Sequence, residues 1–69
     1  MRKINIKLDE ILRERNMTQS SLADIADIRP SAISNLCRGY VDRLSIDHLE
    51  KICDALDIEL HELITLEED

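Results

Sequence analysis

The stretch TQSSLADIADIRPSAISNLCRG, Thr18 to Gly39, carries two helical patterns separated by a very short break. The first opens at Thr18, whose hydroxyl can cap the orphan amides of the following turn, and it places Leu22, Ile25 and Ala26 inward before ending near Asp27. The second opens at Arg29-Pro30, where proline at the first helical position costs no hydrogen bond. It carries Ile33, Leu36 and Cys37 inward before Gly39 stops it. From Ile28 to Val41 no acidic residue occurs, although the chain holds 15 acidic residues in 69 and a net charge of -6.

The side chains that the second of these helices leaves outside are Ser31, Ser34, Asn35 and Arg38, spaced i, i+3, i+4, i+7 and therefore on one face. None is negative. An ordinary surface helix of this chain draws on the abundant carboxylates, as Asp9, Glu10 and Glu14 or Asp47, Glu50 and Asp54 show elsewhere. A face that lies against a polyanion must avoid them, because each would be pressed against phosphate. Ser, Asn and Arg can instead donate to phosphate oxygens or base edges.

The charge map divides the chain in the same way. Residues 1–43 hold eight basic and six acidic side chains, net +2, whereas residues 44–69 hold Lys51 against nine acids, net -8. The acidity lies almost wholly in the carboxyl-terminal part, which can face away from DNA while the first three helices present a mildly basic surface.

Composition bounds the rest. Sixty-nine residues can bury one small core, here without Trp or Phe and with a single Tyr, so Leu and Ile carry nearly all the apolar weight. Abundant Leu, Ile, Asp, Glu, Lys and Arg with one Gly and one Pro favour short packed helices over a β-sandwich or barrel. No apolar run reaches the roughly 20 residues that cross a bilayer. The opening MRKINIKLDE lacks the apolar centre of a secretion signal, and the expected location is the cytoplasm with no membrane partner. Cys37 and Cys53 match no zinc spacing and fall on apolar stripes, so they read as reduced thiols used as small hydrophobes. His48 and His61 have no partner placed by the sequence and read as surface residues; no metal or cofactor is expected. With no phosphate-cradling loop and no nucleophile elbow, an enzyme is not expected.

Three further helices flank the opening stretch. Leu8, Ile11 and Leu12 define one before it; Ser45 caps another carrying Leu49, Ile52, Cys53 and Leu56; a short one runs near Leu60 to Ile64. Ile28 and Ile58 sit in connections as core plugs. At the ends, Ile4, Ile6 and Leu8 alternate with Asn5 and Lys7, and Ile64 and Leu66 with Thr65 and Glu67, the rhythm of a half-buried strand. The two ends can pair as a short ribbon or simply extend the helices; as strands, their open edge is a candidate dimer contact.

Thr18 to Gly39, with Leu22, Ala23, Ile28, Ile33, Leu36 and Gly39 in register, resembles the helix-turn-helix of the Cro and CI phage repressor family, also called XRE-like. Ser45-Ile46-Asp47-His48-Leu49, then Ile52, Ala55-Leu56 and Glu62-Leu63, resembles that family's fourth and fifth helices. The likeness covers about nine-tenths of the chain and implies an all-α, five-helix, lambda-repressor-like domain over 1–69, its helix-turn-helix proper at about 18–39. The family usually has glycine in the turn; here Asp27 occupies it, a residue that tolerates the left-handed conformation better than most.

The resemblance implies a sequence-specific regulator of transcription, a repressor, that binds double-stranded DNA as a homodimer. It maps base contacts in the major groove to Arg29, Pro30, Ser31, Ser34 and Asn35, and phosphate contacts to Gln19, Arg38, Tyr40 and Arg43. Arg29 suits a guanine, Asn35 an adenine, and Pro30 only apolar contact such as a thymine methyl. The rival reading is an interaction module of antitoxin type, whose acidic carboxyl-terminal face docks on a basic protein partner. The acid-free stripe separates the two, since a pure interaction module has no reason to keep it.

Overall fold

The ends of three helices are built to one plan that uses no glycine. In a computed structural model, which describes residues 2–39 and 41–68, Asn16, Asp27 and Asp57 each take positive φ, at 54°, 56° and 54°. Behind each, the next residue's amide reaches back to the carbonyl five residues earlier: Met17 to Leu12 at 2.9 Å, Ile28 to Ala23 at 3.0 Å and Ile58 to Cys53 at 3.0 Å. This is the Schellman closure, which satisfies otherwise orphan carbonyls and folds a hydrophobic side chain onto the helix it has just left. Asn and Asp accept the left-handed backbone at modest cost. Ile28 is thereby buried and Ile58 half-buried, as core plugs should be.

The elements so delimited are β1 (Arg2–Ile6), α1 (Leu8–Glu14), α2 (Gln19–Ala26), α3 (Pro30–Arg38), α4 (Ile46–Leu56), α5 (Leu60–Leu63) and β2 (Ile64–Glu68). Thr18 and Ser45 cap α2 and α4 by accepting from the amides of Ser21 and His48, at 3.0 and 3.4 Å. Glu59 and Glu62 form a capping box on α5, and Gly39, at φ 74°, ends α3. Every helix sends a fully buried side chain to one centre: Leu8, Leu22, Ile33, Ile52 with Leu56, and Leu63. Each such side chain contributes about 1.5–3 kcal/mol relative to exposure. Arg15 ties the first helix to the fourth by donating to the Leu56 carbonyl at 2.6 Å.

Two expectations need correction. Ile25 is 56% exposed, and Ala23 takes the inward place beside Leu22 and Ala26. At about 100° per residue the buried arc of α2 centres near Ala26, which leaves Ile25 on its flank. The two alanines bring α2 close to α3 and α4, the helices it packs against. The fifth helix stops at Leu63, and Ile64 begins a strand instead. The cysteines are free, half-buried and packed at the margin of the core.

The two ends do pair. β1 and β2 form an antiparallel ribbon in the register Arg2↔Glu68, Lys3↔Glu67, Ile4↔Leu66, Asn5↔Thr65 and Ile6↔Ile64, continued by the Lys7 amide on the Leu63 carbonyl at 2.7 Å. Leu8, whose side chain continues the alternation, is the first residue of α1. Hydrogen bonds from Thr65 and Asn5 hold the Glu67 carboxyl below the usual carboxylate range. A carboxyl depressed in the folded state adds stability above its unfolded value and loses it on acidification, so this corner of the ribbon loosens in acid.

The turn makes a direct prediction. Asp27→Val should lower the unfolding free energy by about 1–2 kcal/mol through left-handed strain, whereas Asp27→Gly should stay within about 1 kcal/mol of the parent. Urea unfolding followed by circular dichroism separates the two; equal losses would show that backbone conformation at Asp27 is not the constraint.

Candidate nucleic-acid interface

The interface is built on α3, because the same helix that buries Ile33 and Leu36 must turn its other side to water. Its N-cap Arg29 lies in extended conformation, with no side-chain capping bond, so the guanidinium is released rather than used locally. Arg29, Pro30, Ser31, Asn35 and Arg38 are exposed and Ser34 is half-buried, in agreement with the outward stripe expected from spacing. Among the described residues no ion pair or hydrogen bond engages the side chains of Arg29, Arg38 or Arg43, whereas Arg13 and Lys51 are held by Asp9 and Asp47 one helical turn away. The cations near α3 are thus uncommitted, and those on α1 and α4 are paired.

Not every residue assigned from the sequence converges. Asn35 and Arg43 line one groove, formed where α3 meets the segment before α4, together with Ser45 and His48. Arg38 lines a different groove with Lys3 and Asn5 of β1 and Asp42. Gln19 opens α2 and is half-buried; among the described residues no hydrogen bond links it to α3. Tyr40 lies outside the described residues. Sequence reasoning did not single out Ser45, His48, Lys3 or Asn5 at this surface. The Ser45-x-x-His48 cap was legible as a helix start, but its place beside Asn35 depends on how α4 meets α3.

The thiol of Cys37, on the flank of α3, is pushed above its ordinary value by burial and by the nearby Asp9 carboxylate; burial and the Glu59 carboxylate do the same to Cys53. Both thiols are therefore poorer nucleophiles than a free cysteine. Among the described residues no group of three or more His, Cys, Asp or Glu is placed to hold a metal ion, and no helix is long and apolar enough to cross a membrane.

Two helices joined by a tight turn, the second presenting an acid-free polar face, define a helix-turn-helix DNA-binding module. The chain belongs to the family of the Cro/C1-type HTH DNA-binding domain, whose model matches residues 7–69. Among solved structures it is similar to SinR, the master regulator for biofilm formation, crystallised in complex with DNA: 29% identity, 80% of this chain and 87% of that one, TM-score 0.73. The N-terminal DNA-binding domain of SinR from Bacillus subtilis gives 29% identity, 80% of each chain and a TM-score of 0.72. SinR in complex with SinI gives 28%, 81% of this chain but 54% of that one, and 0.74. A protein from Bacteroides fragilis, at 24% identity, 91% and 100% coverage and TM-score 0.77, shares the fold. Among curated proteins no sequence match was found. Fold and family are those of a DNA-binding regulator of transcription, not of an enzyme.

The inward and outward faces of α3 can be tested separately. Leu36→Ala should destabilise the protein by about 2–5 kcal/mol through the cavity it leaves. Ser31→Ala and Asn35→Ala should each stay within about 0.5 kcal/mol. Thermal unfolding of the three variants reads this out, and a stable Leu36→Ala would reverse the assignment of faces.

Proposed function

We propose that residues 1–69 work as one helix-turn-helix domain that represses transcription by reading a specific DNA site with α3 in the major groove. The observation that carries this reading is the acid-free, uncommitted polar face of α3 in a chain otherwise rich in carboxylates. Arg29, at the start of the helix, is the guanine reader, since its planar fork can meet O6 and N7 together; Asn35, one helical stripe further, reads adenine. Ser31 and Ser34 lie between them, and Pro30 supplies an apolar edge. Gln19, Arg38, Tyr40 and Arg43 take phosphates on either side, fixing register without carrying sequence information.

One α3 covers too few base pairs for specificity, so the protein acts as a symmetric homodimer on half-sites about 34 Å apart. With a net charge of -6 the whole chain repels DNA at long range, which favours such specific paired binding over coating any sequence. The structure of SinR with DNA, similar over most of this chain, supports the DNA reading. A basic protein partner on the acidic carboxyl-terminal half has less behind it: SinR is also solved with SinI, but this chain spans 54% of that SinR chain.

Titration against single-base variants of the site tests the roles. Arg29→Ala should cost about 1–3 kcal/mol and relax preference at one base pair. Arg38→Ala and Arg43→Ala should weaken all sequences alike and reduce the salt slope by about one. A loss for Arg29→Ala that is equal across sequences would remove it from base reading.

A further inference from the structure

The ribbon is the part of the molecule that helix-turn-helix geometry does not use. Its outer half stands off from the helices: Arg2, Lys3, Ile4 and Asn5 are all exposed, and an open groove separates Lys3–Ile6 from the segment after α3. Ile4 and Leu66, direct cross-strand partners, are 59% and 54% exposed on the face whose inner pair, Ile6 and Ile64, packs against the core. The Lys7–Leu63 bond fixes which main-chain groups are used. In an antiparallel ladder bonded and non-bonded pairs alternate, so the bonded pairs are Lys7–Leu63, Asn5–Thr65 and Lys3–Glu67. The amides and carbonyls of Arg2, Ile4 and Ile6 therefore point away from β2, and among the described residues no hydrogen bond reaches them. No proline or bulge closes that edge.

We infer that the β1 edge and the Ile4–Leu66 face pair with a second copy of this chain, β1 against β1 antiparallel about a two-fold axis through Ile4. The outward groups alternate, so allowed registers differ by two residues. Centred on Ile4, Arg2 faces the second copy's Ile6 and Lys3 faces its Asn5, and no like charges meet. A shift of two in one direction sets Lys3 against the second copy's Lys3, and in the other against its Lys7. Of these three registers only the one centred on Ile4 avoids opposed lysines, and it joins Leu66, Ile4 and their copies into one apolar stripe across four strands. The alternative edge, on β2, belongs to the acidic half and would bring the Glu67-Glu68 ends of two chains of net charge -6 together. Five-residue strands cover far less than the roughly 1,200–2,000 Å² of a standard interface, so the pairing is weak in free solution. The inference names the dimer surface that the proposed function requires, yet it is testable without DNA.

The test is sedimentation equilibrium together with amide chemical shifts of the whole chain from about 20 μM to 1 mM, a range chosen for dissociation constants of weak complexes. The expected result is reversible dimerisation, with concentration-dependent shifts at Arg2, Ile4 and Ile6 and little change at Asn5 and Thr65. Ile4→Pro removes an outward amide without touching the β1–β2 bonds, and Leu66→Lys charges the apolar stripe. Each should weaken association at least about tenfold, or 1.4 kcal/mol. Ile46→Lys, at a side chain 74% exposed on another surface, should leave it unchanged. A monomer at 1 mM, shifts at Ile64 and Leu66 instead, or loss of dimer only in Ile46→Lys would overturn the inference. Affinity for an isolated half-site is the separate readout of the DNA reading, and the ribbon variants should keep it.

Discussion

The left-handed turn at Asp27 is the constraint on which the rest of the structure depends. It stops α2 after Ala26, swings Ile28 back onto Ala23 and releases the chain into α3 three residues later, so that Ile33 and Leu36 meet the core. Once those two side chains are inside, geometry leaves no choice for Ser31, Asn35 and Arg38, which must be outside. The same closure at Asn16 and Asp57 ends α1 and α4, which pack against α3 and against α2 and α5 respectively. A chain with one glycine thus closes three helices with Asn or Asp followed by a hydrophobic residue, and that residue adds to the core instead of merely ending a helix.

Electrostatics then separates scaffold from interface. Asp9 and Asp47 neutralise their neighbouring cations on α1 and α4, exposed pairs that are worth little for stability. Along the chain no carboxylate occurs from Ile28 to Val41, and among the described residues none pairs with Arg29 or Arg38, which leaves both free for a polyanion. Placing the acids mostly beyond residue 43 lets a chain of net negative charge carry a surface that phosphate can approach.

Much of this was legible in the sequence because it is local. Thr18, Ser45 and Gly39 mark helix ends by their own chemistry, and the spacing of Ile33, Leu36 and the polar stripe fixes α3 and its faces without knowledge of the rest. Ile25 was misplaced because which arc of α2 is buried depends on where α3 and α4 sit, and the small Ala23 gives a weak apolar signal. The period-two alternation at the two ends announced strands, but their pairing joins residues more than 50 positions apart, which alternation alone cannot decide. In the same way, that Arg38 lines one groove with Lys3, and Asn35 another with Ser45 and His48, is a product of the fold.

The most direct test of the central claim, that the outer face of α3 reads DNA sequence, is recovery of fragmented genomic DNA by the purified protein at about 0.15 M salt, where non-specific contacts are weakened. A triple Arg29→Ala, Ser31→Ala, Asn35→Ala variant serves as the comparison. The account predicts that the parent alone enriches a short inverted repeat. No enrichment, or equal enrichment by parent and variant, would contradict it.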